Sequence, residues 1–152
     1  MTVNTVFTSG NTFTAAQANN FPRGLMATPA TSTTTDSTIT AEEVMLTYTF
    51  TQETNRNYLL RYFEPVLVGS SGATLTARIR LTNLTGTVIN TFKSTLAVAT
   101  NTTAFVEAIY TGTANGSVTF VATLQASTGT GTATRSSTQF PNLYALDVGT
   151  GY

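Results

Sequence analysis

The chain has 152 residues, no formal net charge, and only 9% charged side chains. It contains no histidine and no cysteine, which removes the commonest general base, every thiol nucleophile, all disulfides and nearly all zinc-site designs. One lysine and six arginines against seven acids make no basic field of the kind that nucleic-acid binding needs.

The length suits one domain with its own core. Roughly a quarter of the residues are threonine, a β-branched side chain that fits a pleated, half-buried surface and supplies polarity without charge. Plentiful apolar residues and zero net charge argue against a disordered chain. No stretch is long and apolar enough to cross a bilayer as a helix. The opening MTVNTVFTSG has neither a positive region nor an apolar run, so it is not expected to be a secretory signal, and folding in a cytoplasm is expected.

The first predicted element is helical. Thr14-Ala15-Ala16-Gln17 fits a capping box, and Ala15, Ala16 and Ala18 favour helix. Pro22 disfavours helix at Phe21, and Gly24 permits a turn. So short a helix is marginal alone and must pack on its own domain or on another chain. Residues 27–43 are polar and low in complexity, and read as a linker or the approach to a first strand.

From Val44 the period is two. Val44, Leu46, Tyr48 and Phe50 alternate with Met45, Thr47, Thr49 and Thr51. A turn at TNRN (54–57) leads to NYLLRYFEPVLV, a denser strand bent or ended near Pro65. After GSSG (69–72), Leu75, Ala77, Ile79 and Leu81 alternate with Thr74, Thr76, Arg78 and Arg80. Further strands are expected at TVINTFK, TAFVEAIYT, SVTFVATLQA, TATRSSTQF and NLYALDVG, with turns at NLTG, TANG and TGTGT. About eight strands with hairpin-type connections and no crossover helices predict an all-β protein, an antiparallel β-sandwich or jelly roll.

Little in the chain offers catalysis. The carboxylates are Asp36, Glu42, Glu43, Glu53, Glu64, Glu107 and Asp147. Glu64 and Glu107 lie in predicted strands and are the pair that could face each other as a glycosidase requires; arginine pairing is the plainer reading. No serine sits in a nucleophile elbow, TGTGTATR lacks the phosphate-binding lysine, and no acidic run has EF-hand spacing. Three Asn-x-Ser/Thr matches, at Asn83, Asn101 and Asn115, are what chance supplies in so threonine-rich a chain. Arg78 and Arg80 share a strand face, with Arg61 expected on a neighbour. They read as a cross-strand-paired polar face or, alternatively, as an inter-subunit contact. A non-enzymatic chain without cofactor or metal is therefore expected, either a binding module or an assembly protein.

The segment VFTSGNTFTAAQANNFPRGLMA resembles one common in tailed-bacteriophage virion structural proteins, through Gly10, Thr14 to Gln17, Asn19, Asn20, Pro22 and Gly24. NRNYLLRYFEPVLV resembles the strand that follows the first turn of those domains, through Arg56 and Tyr58. FPNLYALDVGTGY resembles their closing strand, through Pro141, Leu143, Asp147 and Gly149. The resemblance implies a tumour-necrosis-factor-like or jelly-roll sandwich preceded by an extended arm with a short helical turn. It implies a capsid decoration (cement) protein that docks on the major capsid protein and stabilises the head, or alternatively a minor tail or tail-tip protein binding a host receptor or glycan. A homotrimer in the virion, assembled in the bacterial cytoplasm, follows from the same resemblance, with no nucleic-acid or membrane partner. On this reading residues 1–40 are the docking arm and linker and residues 41–152 the sandwich. Phe7, Phe13, Gln17, Asn20, Phe21, Pro22 and Arg23 are the docking residues, and Arg61, Arg78 and Arg80 the inter-subunit ones.

Overall fold

The computed structural model describes residue 10 and residues 12–70, 72–96, 98 and 100–150. Among the described residues, one helix, α1 (Ala15–Asn19), precedes eleven strands: β1 (Gly24–Leu25), β2 (Ala30–Thr31), β3 (Asp36–Ile39), β4 (Glu43–Gln52), β5 (Arg56–Gly69), β6 (Ala73–Leu81), β7 (Val88–Leu96), β8 (Thr102–Thr111), β9 (Gly116–Ala126), β10 (Gly131–Ala133) and β11 (Asn142–Thr150). The alternating stretches become strands because one face of each is apolar and must be buried. On β4, Tyr48 and Phe50 point inward while Thr47, Thr49 and Thr51 point out.

The strands form two antiparallel sheets. In one, β5 pairs with β8 on one side and with β11 and then β10 on the other. The far side of β11 and β10 is lined by β1, β2 and β3 in turn. Residues 24–39 thus act as one interrupted edge strand, and residues 131–150 as one interrupted inner strand. The second sheet runs β4-β9-β6-β7. Counting the interrupted strands as one each gives eight strands in two sheets of four, with order 1-8-3-6 and 2-7-4-5. That is the connectivity of a jelly roll.

Several local expectations meet the structure differently. The strand foreseen over TATRSSTQF ends at Ala133, because Arg135 turns inward to a buried carboxylate. Its Nε and Nη2 donate to Glu64 Oε1 and Oε2 at 3.0 and 2.6 Å. Of the two readings at Pro65, an end or a bend, the strand takes the second: β5 passes through Pro65 with a register shift against β8 between Glu64 and Leu67, the place where a residue without an N–H is tolerated. The stretch read as linker or strand approach supplies β2 and β3, and Ile39 is fully buried. Strands β1 to β3, within residues 24–39, thus pair into the sandwich sheet.

The core lies between the sheets and is centred on aromatics. The Phe50 ring lies 5.8 Å from Phe120 and 4.9 Å from Tyr58, and Tyr110 meets Phe120 edge-on at 4.9 Å. Each buried tyrosine hydroxyl has a partner: Tyr48 donates to the Ala27 carbonyl, Tyr110 to Gln52, Tyr62 to Glu64, and Tyr58 accepts from the Glu53 N–H. Phe120→Ala empties the centre of this cluster and is expected to cost about 3–5 kcal/mol, read as a lower denaturation midpoint in urea at unchanged slope.

Candidate docking site

The arm is built as its residues dictate. The Thr14 hydroxyl accepts the Gln17 N–H at 3.2 Å, and the Gln17 side chain accepts the Thr14 N–H at 2.9 Å. This is the foreseen capping box. Gln17 is thereby engaged in closing its own helix. Phe13 and Phe21, at the two ends of α1, bring their rings to 5.7 Å and are 52% and 43% exposed. Phe7 lies outside the described residues.

Arg56 is the buried side chain that fastens the helix to the sandwich. Arg56, at the start of β5, is 2% exposed, and Asp147 on β11 is fully buried. The Arg56 Nε donates to Asp147 Oδ2. Its Nη1 donates to the Asn19 carbonyl and its Nη2 to the Phe21 carbonyl, each at 2.5 Å. One guanidinium thus answers a buried carboxylate on one side and caps the C-terminal end of α1 on the other. Asp147 Oδ1 accepts the Gly149 N–H at 2.8 Å. Gly149 has φ +101°, and a Cβ there would sit 2.8 Å from the Asn20 carbonyl oxygen. Only glycine lets β11 adopt that backbone and lets the arm pass so close. The Thr150 N–H reaches the same carbonyl at 3.4 Å, and Pro22 lies over Gly149. Arg23 pairs with Glu53 at the surface, which holds the Glu53 carboxyl below its usual range. Thus Asn20, Phe21, Pro22 and Arg23 form the seam between arm and sandwich within one protomer.

The strand arginines separate. Arg61 faces outward from the β5 sheet and pairs with Glu107 at 2.5 Å. Arg78 and Arg80 face outward from the other sheet, so Arg61 is not their neighbour. Both converge on Glu42. Arg80 donates to it at 2.7 and 2.8 Å, Arg78 lies 3.0 Å away, and the Thr123 hydroxyl donates at 2.6 Å. The Arg80 hydrogen bonds, helped by Thr123 and Arg78, hold the Glu42 carboxyl down to about 2 against the opposing effect of burial. Glu64 and Glu107 do not face each other. Glu64 points into the core and Glu107 outward, on opposite faces of one sheet, and each meets its own arginine.

The anchor pair is not legible in the sequence as a pair, since 91 positions separate its members. Arg-x-Tyr at 56–58 and Asp-x-Gly at 147–149 were the available signals, and the structure brings both against the arm.

No family model matches this chain, and no curated protein matches it. Among solved structures, it is similar to a chain from "CBM4 structure and function" with 15% identity and a TM-score of 0.37, over 82% of this chain and 92% of that one. It is similar to a chain of infectious bursal disease virus, Gx strain, with 14% identity and a TM-score of 0.39, over 88% and 39%. It is also similar to the enzymatically active domain of tailspike protein 4 of bacteriophage CBA120, with 15% identity and a TM-score of 0.33, over 85% and 19%. Likenesses at these scores carry no argument about function, and the jelly-roll assignment rests on the strand order.

Two outcomes test the site. Arg56→Met leaves Asp147 buried and unpaired and is expected to cost about 3–5 kcal/mol; adding Asp147→Asn should recover part of that loss in a double-mutant cycle. Glu42, whose folded pKa lies below its unfolded value near 4.5, contributes stability that is present above that pH and lost as pH falls toward about 2. Glu42→Gln should therefore lower stability at neutral pH by roughly 2–3 kcal/mol and flatten the acid limb of the stability profile.

Proposed function

We propose that this chain is a non-enzymatic structural protein of a bacteriophage virion, a capsid decoration (cement) protein. It docks on the major capsid protein through its N-terminal arm and stabilises the head. The observation that carries this reading is the junction at Arg56. The three segments that resemble phage structural proteins lie far apart in the chain, yet they meet there around one buried ion pair. What that junction secures is a short helix on the outside of a jelly roll, with Phe13 and Phe21 presented at its two ends. An arm held this way meets its partner already ordered, which lowers the entropic cost of docking.

The carboxylate chemistry supports a structural role. The two acids best placed in sequence for hydrolysis face opposite sides of a sheet and are each bound by arginine. Threonine-covered, weakly charged surfaces suit wide hydrogen-bonded protein contacts. The partner on this reading is the major capsid protein, with a second contact between copies of this chain in a homotrimer, as the resemblance implies.

The test is add-back to particles stripped of this protein, with bound copies counted by quantitative mass spectrometry against the major capsid protein. The intact chain should return to near-stoichiometric amounts. A chain lacking residues 1–23, which keeps β1, should fold but fail to bind. Phe13→Ala and Phe21→Ala should each weaken binding about tenfold to a hundredfold, in line with about 1.5–3 kcal/mol per buried phenylalanine. Saturation of particles by the truncated chain would defeat the arm reading, and occupancy limited to a few copies would move the protein to the tail tip.

A further inference from the structure

The outer face of the β5 sheet is unlike that of its partner sheet. Cross-strand register sets Leu25, Leu146, Leu59 and Ile109 side by side across β1, β11, β5 and β8. Four positions along the strands, Phe63 stands opposite Phe105 on the far side of one intervening row. That row holds the Arg61–Glu107 ion pair, with Tyr144 on β11 in register beside Arg61. Ile109 is 58% exposed and Phe105 47%. Polar groups close both ends. Thr111 donates to Asn57 at 2.7 Å beyond the leucine row, and Thr103 to the Pro65 carbonyl at 3.0 Å beyond the phenylalanine row. Apolar rows around a central arginine, rimmed by hydroxyls and amides, have the anatomy of a protein contact rather than of a solvated sheet.

The charges on this face indicate its occupant. The face carries one arginine and one glutamate on adjacent strands in a single row, and the whole chain has no net charge. Such a pattern complements itself. A two-fold axis lying in the face, parallel to β5 and β8 and between them, sets Arg61 against Glu107 of a second copy and the reverse. The same operation lays Leu59 over Ile109 and Phe63 over Phe105 of that copy. The Arg61 Nε is used by Glu107 of its own chain, but a guanidinium has five N–H donors in a planar fork, so one arginine can bond two carboxylates.

We propose that this face, centred on Arg61, Glu107, Leu59, Ile109, Phe63 and Phe105, is a two-fold contact between two copies of this chain. It is independent of the arm and of the virion assignment. A patch that meets itself is isologous and closes at two copies, so it is also distinct from the three-fold association implied by the resemblance.

Charge exchange tests it. R61E puts acid at both central positions and E107R puts base at both, so each variant repels its own copies while the two complement each other. In sedimentation equilibrium the intact chain should dimerise, and each variant alone should dissociate about tenfold or more readily. An equimolar mixture of the two should dimerise again. T47R/T51R, with the same net charge as E107R but changed on the opposite sheet, should not pair with R61E. Circular dichroism and thermal melts check that every variant is folded. Ile109→Glu should abolish the dimer in the otherwise intact chain. A monomeric intact chain at high concentration, variants that associate as well as the intact chain, or a mixture that stays monomeric would each overturn the proposal.

Discussion

A guanidinium that is 2% exposed is tolerable only when its donors are answered, because desolvating a charge costs several kcal/mol that only well-made partners offset. Arg56 meets that condition with three groups from two distant segments: the Asp147 carboxylate and the carbonyls of Asn19 and Phe21. Much else follows from it. α1 has only five residues and no buried side chain of its own, so its position depends on this clamp and on the backbone contacts beside it. Gly149 must be glycine because Asn20 is drawn in against it. Once the chain is held at Phe21, Gly24 and Leu25 fall into register with Asp147 and Leu146, and the open edge of β11 is covered. An uncovered edge strand would be a template for aggregation.

The same use of charge recurs through the fold. All six arginines are ion-paired. Several of these pairs join segments far apart in sequence: Arg135 to Glu64 across 71 positions, Arg61 to Glu107 across 46 and Arg80 to Glu42 across 38. In a chain without cysteine these pairs join strands that are distant in sequence. The buried ones act through specificity. An alternative register would leave Glu64 or Asp147 without its guanidinium, and an unpaired charge in the core is among the costliest errors a fold can make.

What could be read from the sequence divides along the same line. Period-two alternation marked β4 and β6 because each has one face in the core, and Thr14 with Gln17 marked α1 because capping is local. The jelly roll itself was legible only as one of two sandwich-type solutions, since strand order depends on pairings between distant residues. Arg135 shows the limit well. By pattern, TATRSSTQF is strand, but a buried carboxylate on β5 outcompetes the ladder for that residue, and Glu64 lies 71 positions away. The Arg56 anchor was hidden for the same reason, although both of its halves sat in conspicuous motifs. The polar reading of residues 27–43 missed β3 because Ile39 is its single fully buried residue.

β5 is the element on which the two surfaces depend. Its first residue, Arg56, holds the arm, and its sixth, Arg61, centres the outer face, roughly 16 Å further along at the rise of a strand. The side chains alternate, so Arg56 points inward to Asp147 while Arg61 points outward to Glu107. A partner bound at the arm and a second copy bound at the face therefore occupy different sides of one strand and need not compete. The strand between them is rigid for a physical reason. Tyr58, Leu60 and Tyr62 are fully buried on its inner side, and it is paired along both edges. On the proposed reading, an arm partner and a second copy would be held in fixed relation by this one strand, through residues six apart counted inclusively.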